Sequence, residues 1–318
     1  MRVHLSFDTE VWCNGWQNLD AAFPASLERY TRGRSKFGDY ALPKTLEILN
    51  RHALTGVFFV EPLFSARFGS IYLRMITDPI AAAGQDIQLH LHPERTDEVR
   101  PPLIENVTKK RQHLTFYTED EQTALIGRAC QLLEEAIGCR VSAFRAGSFA
   151  VNRDTYKALR RNELTVDSSL NAVHDHSEGS LGDICRHAPC HFIEGVAVYP
   201  VTVFQDGLGR LRPAQIGACG FDELVHAMWQ AFRQGTRDFV IVSHNFEMLK
   251  PGTTQPDWVV VRRFEKLCAF LAAYRDSFDV GPYARAADQA VAQNVPRSVV
   301  PILPTVARIA AQIRRRVG

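Results

Sequence analysis

Two pairs of polar residues follow apolar runs that are typical of buried strands. Asp8 and Glu10 end the first run, and His90 and His92 end the third. Because side chains alternate along an extended chain, the two members of each pair project from the same face. Imidazole and carboxylate groups are the ligands of catalytic zinc sites, which keep one position open for water. Either pair alone is also compatible with a capped turn or a satisfied strand end, but together they favour a metal site.

Three more polar residues stand where apolar runs end: Arg145, Asp167 and His244. An arginine in such a place can hold a carboxylate through two parallel hydrogen bonds and lower the pKa of that carboxylate. Each residue also has an ordinary structural explanation, namely an ion pair for Arg145, a capped turn for Asp167 and a packed side chain for His244. Spacing alone therefore leaves their roles open.

Short apolar runs alternate with longer amphipathic segments, which is the pattern of β-α-β units around a parallel sheet. The runs predict seven strands, at residues 3–7, 56–60, 87–91, 142–145, 164–167, 197–203 and 239–243. The amphipathic segments predict helices near residues 43–52, 72–83, 120–137, 153–162, 221–234 and 258–277. In parallel α/β barrels the reactive groups gather at the carboxyl ends of the strands. The pattern therefore indicates a barrel, or an incomplete one, with these polar residues at one end.

Five segments, in order over residues 5–249, resemble the motifs of the polysaccharide deacetylase superfamily of metal-dependent carbohydrate esterases. They are Ser6-Phe7-Asp8-Thr9-Glu10, His90-Leu91-His92-Pro93, Arg145 through Phe149, Asp167, and Ile241-Val242-Ser243-His244. The second segment is similar to a His-Leu-His-Pro variant of sugar-modifying branches. The resemblance implies an α/β fold, specifically the distorted, incomplete (β/α)7 barrel of the polysaccharide deacetylase type.

The resemblance also implies roles for the two polar pairs. Asp8 corresponds to the general base, and Glu10 to a ligand of a divalent cation, which we expect to be Zn²⁺. His90 corresponds directly to a second ligand, with His92 as the third. The usual second motif is His-x-x-x-His, and the residue four positions after His90 is Glu94. Whether Glu94 replaces His92, and whether Asp8 also contacts the metal, stays open.

The remaining motifs supply the other catalytic groups. The resemblance implies that Arg145 orients the base, that Asp167 positions the catalytic histidine, and that His244 is the general acid. In the resulting scheme the cation activates a water and polarises an acetamide carbonyl, the base takes the water proton, and His244 protonates the departing amine.

Composition limits the class of protein. The chain has 318 residues, of which 46% are hydrophobic and 23% charged, as in a globular enzyme. The formal net charge of +2 is too small to favour a nucleic-acid partner. Neither the first residues nor any apolar run reads as a signal peptide or a membrane span, so we expect a cytoplasmic protein. Its 7 cysteines do not form a dense disulfide pattern.

The pattern changes near residue 285, which divides the chain into a predicted barrel at 1–285 and a tail at 286–318. Residues 289–318 contain Arg and Pro but no acidic residue. Within the tail, Val306, Ile309, Ile313 and Val317 recur at helical spacing beside arginines. Such a basic amphipathic helix can lie on an anionic membrane, so peripheral contact with the inner face is one prediction. Packing on the barrel and disorder are the alternatives.

These observations lead to one function and two alternatives. The first is removal of an N-acetyl group from an amino sugar, either a nucleotide-linked or lipid-linked precursor or a glycan, in surface polysaccharide biosynthesis. The second is a deformylase or amidase of the same superfamily. The third is a catalytically silent barrel that binds carbohydrate.

Overall fold

Strands and helices alternate along the chain, as the apolar runs predict. The computed structural model describes residues 1–13, 18–105, 110–173, 181, 191–283 and 295–317. The chain forms two compact units. One comprises Met1–Gly56, Val203–Gly281 and Pro296–Gly318, and the other comprises Val57–Thr202 and Pro282–Val295. The predicted boundary at residue 285 lies outside the described residues.

The strands, in chain order, are β1 Arg2–Thr9, β2 Arg34–Ser35, β3 Gly38–Asp39, β4 Val57–Val60, β5 Asp86–Leu91, β6 Ala143–Ala146, β7 Val166–Asp167, β8 His191–Ile193, β9 Val196–Val198, β10 Val203–Gln205, β11 Leu211–Pro213, β12 Asp238–His244 and β13 Asp279–Val280. In the described chain the main sheet has the order β12-β1-β4-β5-β6-β7-β9-β8, and β13 pairs with β1. The pairs β1–β12, β4–β5, β5–β6, β6–β7 and β7–β9 are parallel, and β8–β9 is antiparallel.

The helices are α1 Leu19–Thr31, α2 Leu42–Arg51, α3 Ser65–Phe68, α4 Ser70–Ala82, α5 Glu119–Ile137, α6 Arg153–Arg161, α7 Phe221–Arg233, α8 Trp258–Ala273 and α9 Ile302–Val317. Their starts follow ordinary capping chemistry. Thr118 accepts from the Glu121 amide at the start of α5, Asn152 accepts from the Thr155 amide at the start of α6, and Asp257 caps α8. Gly138 ends α5 in the left-handed conformation.

Every predicted strand overlaps an observed one, but the run at 197–203 splits into the end of β9 and the start of β10. Helix α1 was not predicted. It begins after Asn18, which is left-handed with a φ of 59° and provides no side-chain cap, and it contains Pro24. The usual side-chain cap of a helix start is therefore missing here. The helix is stabilised by burial of one apolar face, which includes Leu19, Phe23 and Leu27.

A buried polar cluster lies at the amino end of β1 in the first unit. The ring of His4 is 1% exposed, and its Nε2 lies 3.1 Å from Oδ1 of Asp238, at the start of β12. Arg2 makes an ion pair of 2.8 Å with the same carboxylate. Burial alone would raise the pKa of Asp238, but the hydrogen bonds and charges of His4 and Arg2 hold it below its usual value. The cluster joins the start of β1 to the start of β12. It thereby supports the register that places Asp8 opposite His244 at the other end of the two strands.

Helix α9, in the predicted tail, also packs within the first unit. Arg308 is 6% exposed, and it donates to Glu223 of α7 and to Asp206 at 3.0 Å each. Thr305 is fully buried and donates to Glu223. The opposite side of the helix keeps Leu303 77% exposed. No described helix is both long and apolar enough to cross a membrane.

The second unit holds β4 to β9. The side-chain oxygen of Gln88 in β5 accepts from the amides of Ser142 and Ala143, at 2.9 and 2.8 Å, where the chain enters β6. This contact sets the parallel register in which His90 lies opposite Arg145. The two residues that the sequence selects on these strands are therefore neighbours.

Candidate active site

The carboxyl end of β1 carries the two predicted carboxylates, Asp8 and Glu10. The neighbouring strand β12 ends in His244, the predicted general acid. The parallel register places Asp8 opposite His244. Asp8 and Glu10 are 3% and 4% exposed. An Oδ2 atom of Asp8 lies 4.0 Å from Nε2 of His244, whose side chain is 24% exposed. The structure thus brings the proposed base and acid together at one end of adjacent strands.

Asn245, which the sequence reading passed over, holds the chain after β1 in place. Its amide N–H donates to the Asp8 carbonyl at 3.1 Å. Its side-chain oxygen accepts from the Glu10 amide at 3.3 Å, and its side-chain nitrogen donates to the carbonyls of Glu10 and Tyr30. Asn245 therefore clamps the backbone that presents both carboxylates, and it anchors α1 to the same place through Tyr30.

The carboxylate that orients His244 is that of Glu247. Nδ1 of His244 lies 3.3 Å from Oε1 of Glu247. The same carboxylate accepts from Gln215, from the Gly217 amide at 2.8 Å and from Oγ of Ser243 at 3.0 Å. Because a carboxylate accepts, Nδ1 of His244 donates, and Nε2 is the atom directed toward Asp8. Sequence reasoning gave this orienting role to Asp167.

Charge around His244 favours its protonated form. Burial alone would lower the pKa of His244, but the hydrogen bond and charge of Glu247, with the charges of Asp8 and Glu10, raise it to about 9. Burial acts in the opposite direction on Glu247, yet the hydrogen bond and charge of His244 keep the pKa of that carboxyl below its usual value. His244 is thus suited to donate a proton near neutral pH.

Asp167 serves a different network. It is fully buried, and its carboxylate accepts from Oγ and the amide of Ser169 and from the Tyr156 hydroxyl at 3.0 Å. Ser169 in turn accepts from the Ala146 amide at 2.8 Å. Burial raises the pKa of Asp167 to about 6 despite these hydrogen bonds. Asp167 thereby supports the loop after β7 and the end of β6. Its predicted role in positioning His244 stays a prediction.

Arg145 is fully buried at the end of β6. Its Nε donates to the Ser168 carbonyl and its Nη2 to the Ser168 hydroxyl, both at 2.9 Å. The guanidinium also lies 4.3 Å from the centre of the Phe59 ring. Because Ser168 and the Phe59 ring hold the guanidinium in place, Arg145 is a rigid hydrogen-bond donor. Its predicted role in orienting Asp8 stays a prediction.

The two histidines at the carboxyl end of β5 each have one ring nitrogen fixed by a hydrogen bond. Nδ1 of His90 lies 2.8 Å from the carbonyl oxygen of Arg145, and Nδ1 of His92 lies 2.9 Å from Oε1 of Glu94. Both partners accept only, so both Nδ1 atoms donate and both Nε2 atoms are left with a lone pair. This arrangement is the one that metal-binding histidines show, with a carbonyl or carboxylate behind each ring. Glu94, which sequence reasoning held open as a ligand, stands behind His92.

Backbone geometry keeps space for the His92 ring. A Cβ atom on Gly147 would lie 2.7 Å from Cε1 and Nδ1 of His92, a distance that forces one of them to move. The next two residues, Ser148 and Phe149, both have a φ of 56°. Residues other than glycine adopt this region rarely, and such strain is concentrated at functional sites. The segment after Arg145 is therefore shaped around the imidazole.

Three of these side chains form a group that could hold a metal ion. Glu10, His90 and His92 are buried, and each offers one ligand atom, with all three atoms within 4.8 Å of one another. Within the part of the chain that the structure describes, no other group of three histidine, cysteine or acidic residues meets this condition. Two imidazoles and one carboxylate are the protein ligands of an open catalytic zinc site.

Comparison with known proteins supports the fold. No family model matches the sequence, and no curated protein matches it. A structure from Mycobacterium smegmatis assigned as a polysaccharide deacetylase aligns over 88% of this chain and 86% of its own, with a TM-score of 0.56 and 21% identity. A family 4 carbohydrate esterase from Streptomyces lividans, solved with acetate, covers 92% and 97%, with a TM-score of 0.45 and 15% identity.

A third structure shows how much the fold leaves open. The 4-alpha-glucanotransferase from Thermococcus litoralis covers 94% of this chain and 41% of its own, with a TM-score of 0.53 and 10% identity. One fold can host different reactions, so activity has to be argued from the site. The predicted α/β fold class is confirmed: the chain shares the fold of the Mycobacterium smegmatis structure that is assigned as a polysaccharide deacetylase.

Proposed function

We propose that this protein is a metal-dependent hydrolase that removes an N-acetyl group from an amino sugar. The observation that carries the proposal is the buried group of Glu10, His90 and His92, whose ligand atoms lie within 4.8 Å of one another. The pairing of Asp8 with His244 supports it, because amide hydrolysis needs a base for the water and an acid for the amine. The fold shared with a structure assigned as a polysaccharide deacetylase favours an acetylated sugar as substrate.

The donor set fits a divalent cation, for which we propose Zn²⁺. Both imidazoles have a lone pair on Nε2, since a carbonyl and a carboxylate fix their Nδ1–H groups. When bound, such a cation polarises an amide carbonyl and lowers the pKa of the attacking water. Glu10, His90 and His92 would hold it.

The chain's own groups then handle the protons. Asp8 accepts a proton from the water as the amide carbon is attacked. His244 carries a proton on Nε2, while Glu247 accepts the hydrogen bond of its Nδ1. His244 donates the Nε2 proton to the nitrogen of the departing amine. Arg145 would restrain Asp8, as the resemblance implies, while Asp167 contributes by supporting the end of β6.

We further propose that the substrate is a nucleotide-linked or lipid-linked precursor, or a glycan, in surface polysaccharide biosynthesis in the cytoplasm. Peripheral contact with the inner face of the membrane through α9 is part of this proposal. Its support is the row of exposed apolar residues on α9, Ile302, Leu303, Val306 and Ile313. Co-sedimentation with anionic liposomes, compared between the full chain and a chain ending at residue 295, tests the contact.

The reaction is tested with purified protein that has been loaded with zinc. Acetate and formate release are measured from N-acetylated and N-formylated amino sugars, both free and attached to phosphate carriers. Acetate release that stops on chelation supports the proposal. Formate release alone would favour the deformylase, and zinc binding without release of either acid from any substrate would favour a silent carbohydrate-binding protein.

Glu94→Gln is expected to weaken zinc binding by about 10- to 100-fold, the usual cost of losing the group behind a metal-bound histidine. The amide still fits the space, but it no longer offers a charged acceptor to Nδ1 of His92. Competition with a chromophoric chelator measures the affinity. Glu121→Gln, which removes an acid that pairs with Arg111 in the same unit, is the matched control. Equal affinities for the two variants would contradict the role assigned to Glu94.

A further inference from the structure

We propose that a pocket lined by Glu247, the carboxylate that orients His244, binds a phosphate or pyrophosphate group. The cavity has a volume of about 460 Å³ and lies wholly in the first unit. Its walls come from the last turn of α1, the segment at 215–218, the loop after β12 and α9. Its size is within the range of small-molecule sites, which is about 300–1,000 Å³.

Three cationic side chains from separate elements line this cavity: Arg29 of α1, Lys250 of the loop after β12, and Arg315 of α9. The acidic side chain among the lining residues is Glu247. That carboxylate is already neutralised by His244 and accepts three other hydrogen bonds. The cavity is therefore electropositive, and an anion is the ligand that its charge favours.

Arg29 is held in the wall without using its hydrogen-bonding capacity. Within the described parts of the chain it makes no hydrogen bond and no ion pair. Its guanidinium lies 5.1 Å from the centre of the Tyr30 ring, and the side chain is half-buried. Stacking on an aromatic ring leaves the edge of a guanidinium free to bind a phosphate through two parallel hydrogen bonds.

Arg315 is fixed in place and keeps one donor group available. Its Nε pairs with Asp257 at 2.6 Å, and its Nη1 donates to the Gly217 carbonyl at 2.9 Å. No hydrogen bond of its Nη2 is found among the described residues. A rigid guanidinium with an available edge is a preorganised anion ligand, since little entropy is lost when it binds.

A third guanidinium, that of Arg263, lies beside Arg315 near this wall. Arg263 is 7% exposed, shares the Gly217 carbonyl with Arg315 at 3.4 Å, and has an Nη2 without a hydrogen-bond partner. Burial lowers the pKa of Arg263, and the nearby charge of Arg315 lowers it further. A buried guanidinium with an unsatisfied donor is costly. An anion in the cavity would reduce this cost.

The position of the cavity connects it to the reaction. Glu247 lines the cavity and also fixes the proton on His244. A phosphate in the cavity would therefore lie near Glu247, which contacts the proposed general acid His244. Two sources of the phosphate are consistent with this position: the carrier end of a phosphate-linked sugar, which rests on the proposed function, and a separate phosphate effector. A substrate held by its carrier would use that binding energy to position the acetamide.

Calorimetric titration of the full-length, zinc-loaded protein with inorganic pyrophosphate tests the site. We expect saturable binding that Arg29→Gln weakens by roughly 10- to 100-fold, the factor for a hydrogen bond to a charged group. Arg32→Gln is the matched control, because Arg32 follows the same helix, pairs with Glu28 and does not line the cavity. Lys250→Gln provides a second variant if Arg29→Gln is unstable. No binding, or equal binding by the Arg29 and Arg32 variants, would overturn the proposal.

Kinetics distinguish the two sources. If the carrier of the substrate occupies the cavity, pyrophosphate competes with a phosphate-linked acetylated sugar, and Arg29→Gln raises KM for that substrate more than for a neutral one. If a separate effector occupies it, pyrophosphate changes kcat without competing. Should no substrate be hydrolysed, the proposed function fails, while the calorimetric result still decides the phosphate site.

Discussion

His244→Ala is expected to lower kcat for acetamide hydrolysis by about 10²- to 10⁴-fold, the usual contribution of a positioned general acid. The amine is a poor leaving group unless it is protonated as the C–N bond breaks, and His244 is the protonated imidazole beside Asp8. KM should change little, because the loss acts on the transition state. Acetate release under single-turnover conditions measures the effect.

His226→Ala provides the control, since that histidine is exposed on α7 and its ring contacts the Asp222 carbonyl of its own helix. It should retain full activity. A His244→Ala variant that kept the wild-type kcat while folded would remove His244 from the reaction and, with it, the assignment of the acid.

Glu247→Gln separates orientation from proton donation. The charge of Glu247 helps to raise the pKa of His244, so its removal lowers that pKa. Because the acid must be protonated, activity declines as pH rises through this pKa, and the decline should move to lower pH in the variant. A merely structural role of Glu247 would reduce activity at every pH without moving the profile.

The strand-end residues were predictable because they follow a rule of topology. Apolar runs define β1, β5, β6 and β12, and parallel strands place the residues after their carboxyl ends together. The pairs Asp8 with His244 and His90 with Arg145 are direct neighbours in the observed register. The spacing of two between His90 and His92 predicted that both imidazoles lie on one face, and both belong to the group with Glu10.

The residues that support the catalytic groups were harder to predict from the sequence, since their roles depend on turns. Glu247 lies three residues after His244, and its carboxylate folds back through a turn in which the Glu247 amide donates to the His244 carbonyl. An acid so near a strand-end histidine was a usable signal, although a motif assignment drew attention to Asp167 instead. The contribution of Gly147 depends on how closely another strand's histidine approaches, and a single sequence does not encode that distance visibly.

The tail illustrates a different limit. Periodicity indicated a helix near its end, and α9 is there. Arg308, which reads as a surface cation, is buried because Glu223 and Asp206 neutralise it. Partners about 85 and 102 residues away in the chain decide whether such an arginine faces solvent or the core, and no local pattern reveals them.

His90→Ala and His92→Ala are each expected to abolish stoichiometric zinc binding and to lower acetate release by roughly 10³-fold, since the cation contributes several kcal/mol to such reactions. Two ligand atoms cannot reproduce the site that Glu10 completes with both imidazoles. Metal content after dialysis and thermal unfolding with and without zinc measure the loss. Zinc should raise Tm of the wild-type protein, because a ligand of the native state stabilises it by mass action. It should not raise Tm of either variant.

His52→Ala is the matched control, because His52 lies at the end of α2, outside the group of three, and its loss should leave zinc content and the zinc-dependent rise in Tm unchanged. The apo forms of all variants are compared first, so that a folding defect is not mistaken for a lost ligand. If His92→Ala bound zinc like the wild-type protein while Glu94→Ala did not, the alternative ligand set of His90 with Glu94 would be correct, and the imidazole of His92 would be the supporting group.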